Sequence, residues 1–329
     1  MSVSERTVAL PRSGRAAPAV ARRLARDGLA AWTVVVVLVI VLLARNGSVF
    51  LSPLNVANLL SQMVVLGLVS MGQTYVMISG GIDLSVGSLA TLTTVLTAGL
   101  INGNAGLTIP VLVLAVFIGA GVGIVHGLLV TRAGLAPFIV TLASYFLLQG
   151  LAFAYTSIPV GSIPANLSDF VYSQVGPIPV IFLIVLAIAV VLGWVLARTR
   201  FGVHLYASGG DPAIARSAGI PVGRVVPTCY VISGVLAALA GCVLAARAGV
   251  GTPSAGSGLE LDAITAAVIG GTSLLGGRGK IVGTAGGVAL LAVIENGFTL
   301  LSVSSFYQEL ILGAVIVAAV AIFTQRKRS

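Results

Sequence analysis

Residues able to do chemistry are few in this chain, and the most prominent is Asp83, within the segment GGIDLS of residues 80–85. A carboxylate beside a membrane-spanning segment is costly, and such groups often have a function. Aspartate is also preferred at helix starts, where its side chain accepts backbone N–H groups. Because position 83 falls at the predicted cytoplasmic boundary of an apolar run, we favour helix capping. Asp83 and Ser85 are nevertheless kept as candidates for the lining of a solute pathway.

Three amide side chains, those of Asn58, Gln62 and Gln73, lie along one apolar run at spacings of 4 and 11 residues. These spacings place all three on one helical face. Such a stripe suits a path for polyhydroxylated solutes, which need neutral hydrogen-bond donors and acceptors. It suits hydrogen bonding between helices equally well, so both interpretations stay open.

A further polar group stands late in another apolar run, where Glu295 and Asn296 are adjacent. We interpret this pair as a polar hinge near the outer mouth, and Asn296 is a further pathway candidate. His126 has no ligand partner nearby in the sequence and is expected to be buried or interfacial.

Several kinds of chemical site have no support in the sequence. Gly279-Lys280 resembles the end of a phosphate-binding loop, but residue 274 is Leu where Gly is required, and Ile281 replaces Ser or Thr. No His, Cys, Asp or Glu cluster has metal-ligand spacing, and the two histidines suggest no catalytic triad. We therefore expect no catalytic residue, no metal site and no cofactor on this chain.

The composition is that of a membrane protein. The chain has 57% hydrophobic and 8% charged residues and a mean hydropathy of +1.11, whereas a soluble domain carries about 25% charged residues. Its 41 glycines suit closely packed membrane helices, and the spacing of Gly119, Gly123 and Gly127 predicts a tight helix contact. Net charge is +9, but the basic residues cluster at the ends of apolar runs, which favours a topological role over nucleic-acid binding.

Apolar stretches of spanning length recur along the chain, which predicts an all-α integral membrane protein with about ten transmembrane helices. They form one transmembrane domain over residues 29–324, between basic tails at 1–28 and 325–329. The two stretches that begin at 84 and 261 are the least regular. The predicted spans are 29–45, 54–79, 84–101, 107–130, 137–157, 178–198, 223–246, 261–275, 281–301 and 306–324.

The basic residues predict the orientation. With ten spans and both termini in the cytoplasm, 16 of the 18 Lys and Arg residues lie on the inner side, and only Arg45 and Arg247 lie outside. This distribution follows the positive-inside rule. Residues 158–177, which hold no Lys or Arg, then form an ordered external loop.

Two segments in opposite halves are alike. Residues 80–88 read GGIDLSVGS and residues 270–277 read GGTSLLGG, and each follows one apolar run and precedes another. Paired glycine-interrupted segments indicate an internally repeated transporter with broken helices. We favour this interpretation over two unrelated Gly-rich turns. The predicted helix breaks are Gly80, Gly81, Gly270 and Gly271.

One long polar segment, residues 198–224, interrupts the apolar runs in the interior of the sequence. It is basic and Ala-rich, and Asp211-Pro212 followed by Gly219 predicts a short helix between them. Placed at the cytoplasmic face, such a helix is suited to docking a partner.

The chain resembles the permease subunits of bacterial ABC importers for monosaccharides, of the ribose-transporter type. The resemblance covers about residues 54–324. It is carried by QTYVMIS before GGIDLSVGS, by PFIVTL at 137–142, by FGVHLYASGGDPAIARSAGI at 201–220, by IGGTSLLGGRGKIVGT at 269–284 and by NGFTLL at 296–301. Two departures are Ala143, where the family often has Gly, and Glu295, where it often has Asn. The second changes the polarity of the pathway and leaves the sugar unassigned.

The resemblance implies a multi-pass protein of the bacterial plasma membrane that works as a dimer with a second copy or paralogue. Its partners would be a cytoplasmic ABC ATPase, which uses ATP and Mg²⁺, and an extracytoplasmic sugar-binding protein. Membrane lipid is expected around it, and no nucleic acid. A coupling element at about 205–220 would dock into the ATPase. The implied coupling positions are Gly202, Ala207, Gly209, Gly210, Asp211, Ala215, Arg216, Gly219 and Ile220.

The expected function is the import of a pentose, a hexose or a related small polyol, driven by ATP hydrolysis on another chain. An ion-coupled secondary transporter of a small polar solute is the alternative, and a requirement for a separate ATPase distinguishes the two. An integral-membrane enzyme is disfavoured because a catalytic constellation is missing. The candidate pathway residues are Asn58, Gln62, Gln73, Asp83, Ser85, Phe138, Thr141 and Asn296.

Overall fold

A computed structural model describes residues 30–304 together with 306–308, 310, 311 and 313. The tail 1–28 and most of the predicted span 306–324 lie outside the described residues. Within them the chain is built of helices, with one two-stranded hairpin. In chain order the elements are α1 (Ala30–Phe50), α2 (Pro53–Ile78), α3 (Val86–Ile101), α4 (Thr108–Thr131), α5 (Pro137–Tyr155), α6 (Ala165–Tyr172), β1 (Gln174–Val175), β2 (Ile178–Pro179), α7 (Val180–Arg198), α8 (Arg200–Gly210), α9 (Pro212–Ser217), α10 (Val222–Ala248), α11 (Leu259–Ile269) and α12 (Ile281–Leu300).

Seven helices of the described part are long and apolar enough to cross a membrane, namely α1, α2, α4, α5, α7, α10 and α12. The predicted class of an all-α, multi-pass membrane protein is therefore confirmed. The predicted spans 84–101 and 261–275 correspond to α3 and α11, which have 16 and 11 residues. Both are shorter than the roughly 20 residues that a full crossing needs. The segment 158–177 forms α6 and the hairpin rather than a spanning helix.

Helix α10 lies at the centre of the fold and packs against α2, α3 and α4. Its contact with α4 is made through glycines: a Cβ on Gly119, Gly123 or Gly127 would overlap the α10 backbone at Gly234, Tyr230 or Pro227 respectively. The tight contact predicted from the four-residue spacing is thus confirmed. Small residues allow this approach because backbone meets backbone without intervening side chains.

The outer helices differ from the central ones in burial. In α1 and α7 only 11% and 17% of the most apolar stretch is buried, against 72% in α10 and α12. Exposed side chains such as Ile40 and Trp194 lie on these outer helices. Helices α1 and α7 therefore present large exposed apolar surfaces. Helix α12 packs against α1, α2 and α11 and completes the fold around α2.

Candidate functional site

Helix α2 ends at a glycine turn. Gly80 has a positive φ of 88°, its N–H donates to the Met77 carbonyl at 3.0 Å, and the Gly81 N–H donates to the Val76 carbonyl at 3.0 Å. This pair of bonds is a Schellman ending, which satisfies carbonyls that the helix leaves free and needs a left-handed residue. Glycine adopts that conformation without a Cβ clash, which explains Gly80.

Helix α11 ends in the same way. Gly271 has a φ of 90°, its N–H donates to the Val268 carbonyl at 2.9 Å, and the Thr272 N–H donates to the Ala267 carbonyl at 2.9 Å. By conformation, Gly80 therefore corresponds to Gly271. The two segments therefore align by conformation one residue away from the register in which the first glycine of each, Gly80 and Gly270, is paired.

Asp83 follows the first of these turns and is 1% exposed. Its Oδ1 accepts from the Ser85 N–H at 3.0 Å and from the Ser85 hydroxyl at 2.6 Å, and its Oδ2 accepts from the Ser233 hydroxyl at 2.9 Å. Helix α3 begins at Val86 with Ser85 as its cap, so Asp83 braces the turn before the helix and is not the cap itself.

Asp83 does not lie level with the start of α10. Its partner Ser233 lies eleven residues after Val222, where α10 begins. At 1.5 Å per residue this places the carboxylate about 17 Å along α10 from that end. The sequence did not reveal this depth because the segment 79–85 does not stay at the end of α2 but returns into the helix packing.

Side chains from several helices satisfy the irregular segment 79–85. The Gln73 carboxamide, with its nitrogen facing the Asp83 carbonyl, donates to that oxygen at 3.1 Å and accepts from the Asp83 N–H at 3.3 Å. The Thr141 hydroxyl of α5 donates to the Ile82 carbonyl at 3.0 Å. Non-helical backbone is tolerated at membrane depth only where protein or a water-filled cavity satisfies it. Here the Gln73 and Thr141 side chains form these hydrogen bonds to the main chain.

The coupling segment is two helices rather than one. Helix α8 ends at Gly210, and α9 begins after Asp211, whose Oδ1 accepts from the Ala213 and Ile214 N–H groups at 2.8 and 3.0 Å. Gly219, with a φ of 79°, follows α9. The helix start at Asp211-Pro212 and the stop at Gly219 are confirmed.

Burial divides the nine coupling positions. Gly202, Gly209 and Ala215 are buried within the chain, and Ala207 and Ile220 are partly buried. Ile214 of α9, which is not one of the nine positions, is also at the surface and is 69% exposed. Ile214 stands between Ala213 and Ala215, so the Ala-rich pattern did not single it out. The exposed coupling positions are Gly210, Asp211, Arg216 and Gly219.

Three segments meet at the end of α2 through backbone contacts. The Ile78 carbonyl accepts from the Gly277 N–H at 2.9 Å, and a Cβ on Gly209 would overlap the same carbonyl oxygen. A Cβ on Gly276 would overlap the Gly209 carbonyl and lie 2.9 Å from the Gly80 Cα. We call these five residues, Ile78, Gly80, Gly209, Gly276 and Gly277, the glycine junction. It joins α8 to the turns that follow α2 and α11.

A side-chain bond reinforces this contact. The Tyr206 hydroxyl of α8 donates to the Gly279 carbonyl at 2.6 Å. Burial raises the pKa of Tyr206 above its ordinary value, so the hydroxyl remains a donor at neutral pH. Helix α8 is therefore held to the 270–280 segment at two places.

The predicted pathway residues lie in different environments. Asn58 is exposed, Gln62 is half-buried, and Gln73 is buried against the Asp83 main chain. Asn296 pairs with Asn55: its Nδ2 donates to the Asn55 Oδ1 at 2.7 Å. Phe138 is 53% exposed. The structure therefore brings Gln73, Asp83, Ser85 and Thr141 together around the segment 79–85 but does not unite all eight candidates in one lining.

A cavity of about 180 Å³ lies beside the middle of α2, where Gln62, Val65 and Leu66 form part of its wall. Four of its lining residues are polar: Gln62 of α2, Arg247 of α10, Asp262 of α11 and Glu295 of α12. The sequence pointed to Gln62 and Glu295 but not to Arg247 or Asp262. The available signal was that Arg247 is one of the two basic residues that the orientation leaves outside.

Comparison with known proteins places the chain in a family. The family profile described as "Branched-chain amino acid transport system / permease component" matches residues 55–320, and the chain belongs to this family. It is 41% identical over 299 residues to a ribose import permease of Bacillus subtilis. The aligned region covers 89% of this chain and 91% of that protein.

Other relatives are also named as sugar permeases. A D-allose transport system permease of Escherichia coli is 36% identical over 278 residues, 83% of this chain and 84% of that protein. A galactose/methyl galactoside import permease of Haemophilus influenzae is 33% identical over 312 residues, 89% of this chain and 93% of that protein. No solved structure matches the chain.

Proposed function

We propose that this chain is the transmembrane permease of an ATP-driven importer for a monosaccharide. It would pass the sugar from an extracytoplasmic binding protein to the cytoplasm. The relatives named as ribose, allose and galactose permeases support the substrate class. The glycine junction is the observation that supports the mode of action, since a permease driven by another chain needs a part that receives motion and passes it inward.

The partner that supplies the motion is a cytoplasmic ATPase, which binds ATP and Mg²⁺. Helix α9 would dock into it through the exposed Ile214, Asp211 and Arg216. The buried coupling positions, such as Gly209 and Ala215, would hold α8 and α9 in place rather than touch the ATPase. A sugar-binding protein and a second permease copy or paralogue complete the assembly, with lipid around α1 and α7.

The topology is proposed to have ten crossings, including 306–324, with both termini in the cytoplasm of a bacterial inner membrane. The distribution of 16 of the 18 basic residues supports it. The two like Schellman endings, at Gly80 and Gly271, support two related halves with interrupted helices. The contact of both turns with α8 agrees with their placement on one side of the membrane.

No chemical step takes place on this chain. ATP-dependent closure of the ATPase would displace α9 and α8, and the glycine junction would carry the displacement into the segments 79–85 and 270–280. Backbone-to-backbone contacts transmit such a shift because no flexible side chain lies between the moving parts. The segments then change the packing of α3 and α12 against their neighbours.

Reconstitution tests the proposal. Permease, ATPase and binding protein in proteoliposomes should accumulate ribose, allose or galactose only when ATP is present on the ATPase side. A variant of the ATPase that binds but does not hydrolyse ATP is the matched control and should give no uptake. Uptake by the permease alone, driven by an ion gradient, would show that the protein is a secondary transporter instead.

A further inference from the structure

The cavity lined by Gln62, Arg247, Asp262 and Glu295 has the composition of a ligand site. Its volume of about 180 Å³ is more than ten times the roughly 10–15 Å³ that one water needs. Four helices contribute one polar residue each, and Leu244 and Leu259 are among the apolar walls. Few polar groups within a mostly apolar wall are typical of sites for small molecules.

Two of the polar groups that line the cavity differ in their hydrogen bonding. The Arg247 Nη1 donates to the Ser61 carbonyl at 3.0 Å, which fixes the guanidinium beside Gln62. Within the described residues, the Gln62 Oε1 is buried and has no hydrogen-bond partner. A buried acceptor without a partner is costly, and a bound hydroxyl group would remove that cost.

We infer that this cavity is the first binding station for a neutral polyhydroxylated solute on the permease. This inference rests on the proposed function and adds the place within the chain where the sugar first binds. The Asp262 and Glu295 carboxylates and the Gln62 oxygen accept hydrogen bonds from sugar hydroxyls, and the Arg247 guanidinium donates to hydroxyl or ring oxygens. The C–H faces of the sugar pack on the aliphatic walls.

The position of the cavity agrees with a first station. Gln62 lies 16 residues before Ile78 of the glycine junction, which is about 24 Å along α2. In the proposed orientation the cavity lies in the outer half of the molecule, on the side from which a binding protein delivers its sugar. The motion received at α8 reaches the site along α2, α11 and α12.

Two features argue against other occupants. Among the described residues, no three of His, Cys, Asp and Glu come together to hold a metal ion, so the two carboxylates do not form a cation cage. Arg247 with the carboxylates could bind an amino-acid zwitterion, which the description of the family would suggest. The named relatives transport sugars, and we therefore commit to a sugar and make the amino acid an outcome of the test.

The first experiment measures ATP-dependent uptake of ribose, allose and galactose by the complete reconstituted importer with E295Q or D262N permease. We expect the maximal rate to fall about tenfold for each, the size of effect typical of one lost charged hydrogen bond. The half-saturating concentration, set by the binding protein, should not change. D169N is the matched control, since Asp169 is an exposed carboxylate on α6 outside the cavity, and it should transport at the wild-type rate.

The second experiment needs no transport. L259C in the full-length permease is labelled with a small thiol reagent, against a quiet background because Cys229 and Cys242 are buried. Ribose, allose or galactose at millimolar concentration should slow labelling of L259C but not of A105C, at an exposed outer position. Protection by leucine in place of the sugars, or by none of them, would overturn the inference.

The outcomes separate the inference from the proposed function. If the wild-type importer takes up no sugar, the proposed function fails. If it takes up sugar, but E295Q and D262N match D169N or no sugar protects L259C, only the binding station is wrong.

Discussion

At the residue scale, the segment 79–85 depends on one carboxylate with three donors. Asp83 accepts from the Ser85 N–H, the Ser85 hydroxyl and the Ser233 hydroxyl, and it is almost fully buried. Buried polar groups that lose their partner keep the full cost of desolvation. The arrangement therefore favours a bracing role for Asp83 over a proton or ion relay.

This role predicts different effects for two substitutions of Asp83. D83A leaves three donors without an acceptor and should destabilise the protein by about 2–4 kcal/mol. D83N keeps the Oδ1 acceptor for Ser85, and its amide can donate to the Ser233 hydroxyl, so we expect near wild-type stability and uptake. Thermal unfolding in detergent and sugar uptake measure the two effects.

S233A, which removes one of the three donors, is the matched control and should be milder than D83A. Loss of uptake in a fully stable D83N variant would contradict the bracing role, because only a change of charge would then explain it.

At the element scale, helix α8 contacts the turns that follow both α2 and α11. The Ile78 carbonyl contacts both the Gly277 N–H and the backbone at Gly209, so we expect a displacement of α8 to move both turns. Glycine is required at Gly209 by this close approach and not by its backbone angle, since its φ is not positive.

The glycine junction predicts that G209A uncouples the importer. Its Cβ would overlap the Ile78 carbonyl oxygen and push α8 away from α2 and from the 270–280 segment. We expect the ATPase to bind with near-normal affinity, because the exposed anchor Ile214 is unchanged, while sugar uptake per ATP hydrolysed falls about tenfold or more. Uptake and ATP hydrolysis are measured together in proteoliposomes.

G223A provides the comparison. Gly223 lies at the start of α10, and a Cβ there would meet no atom within 4 Å. It should leave both activities unchanged. If G209A and G223A take up the same amount of sugar per ATP hydrolysed, the glycine junction does not couple ATP hydrolysis to transport.

At the scale of the whole molecule, hydropathy located most helices to within a few residues, as for α2, predicted at 54–79 and observed at Pro53–Ile78. It failed for α11, predicted at 261–275 but ending at Ile269, because apolar residues continue beyond the Schellman turn. The coupling caps were predictable because they are local in sequence. The cavity was not predictable from the sequence, because Gln62 and Glu295 belong to helices far apart in the chain and only the packing brings them together.

The number of crossings decides where the last residue lies. Nine crossings would leave the chain end outside, whereas ten, with 306–324 as the last, return it to the cytoplasm. Three basic residues, Arg326, Lys327 and Arg328, follow that segment, and they favour the inner side. We therefore expect S329C to react with a membrane-impermeant thiol reagent only in inside-out vesicles.

Two reference positions calibrate this measurement. S217C, on the exposed end of α9, should react only in inside-out vesicles, and A105C, in the turn between α3 and α4, only in right-side-out vesicles. If S329C follows A105C, the segment 306–324 does not cross, and the ten-span topology is wrong. If S217C reacts from the outside, the whole orientation is inverted, and α9 cannot meet a cytoplasmic ATPase. Reaction of S329C and S217C from one side and of A105C from the other is the pattern expected of ten crossings with α9 in the cytoplasm.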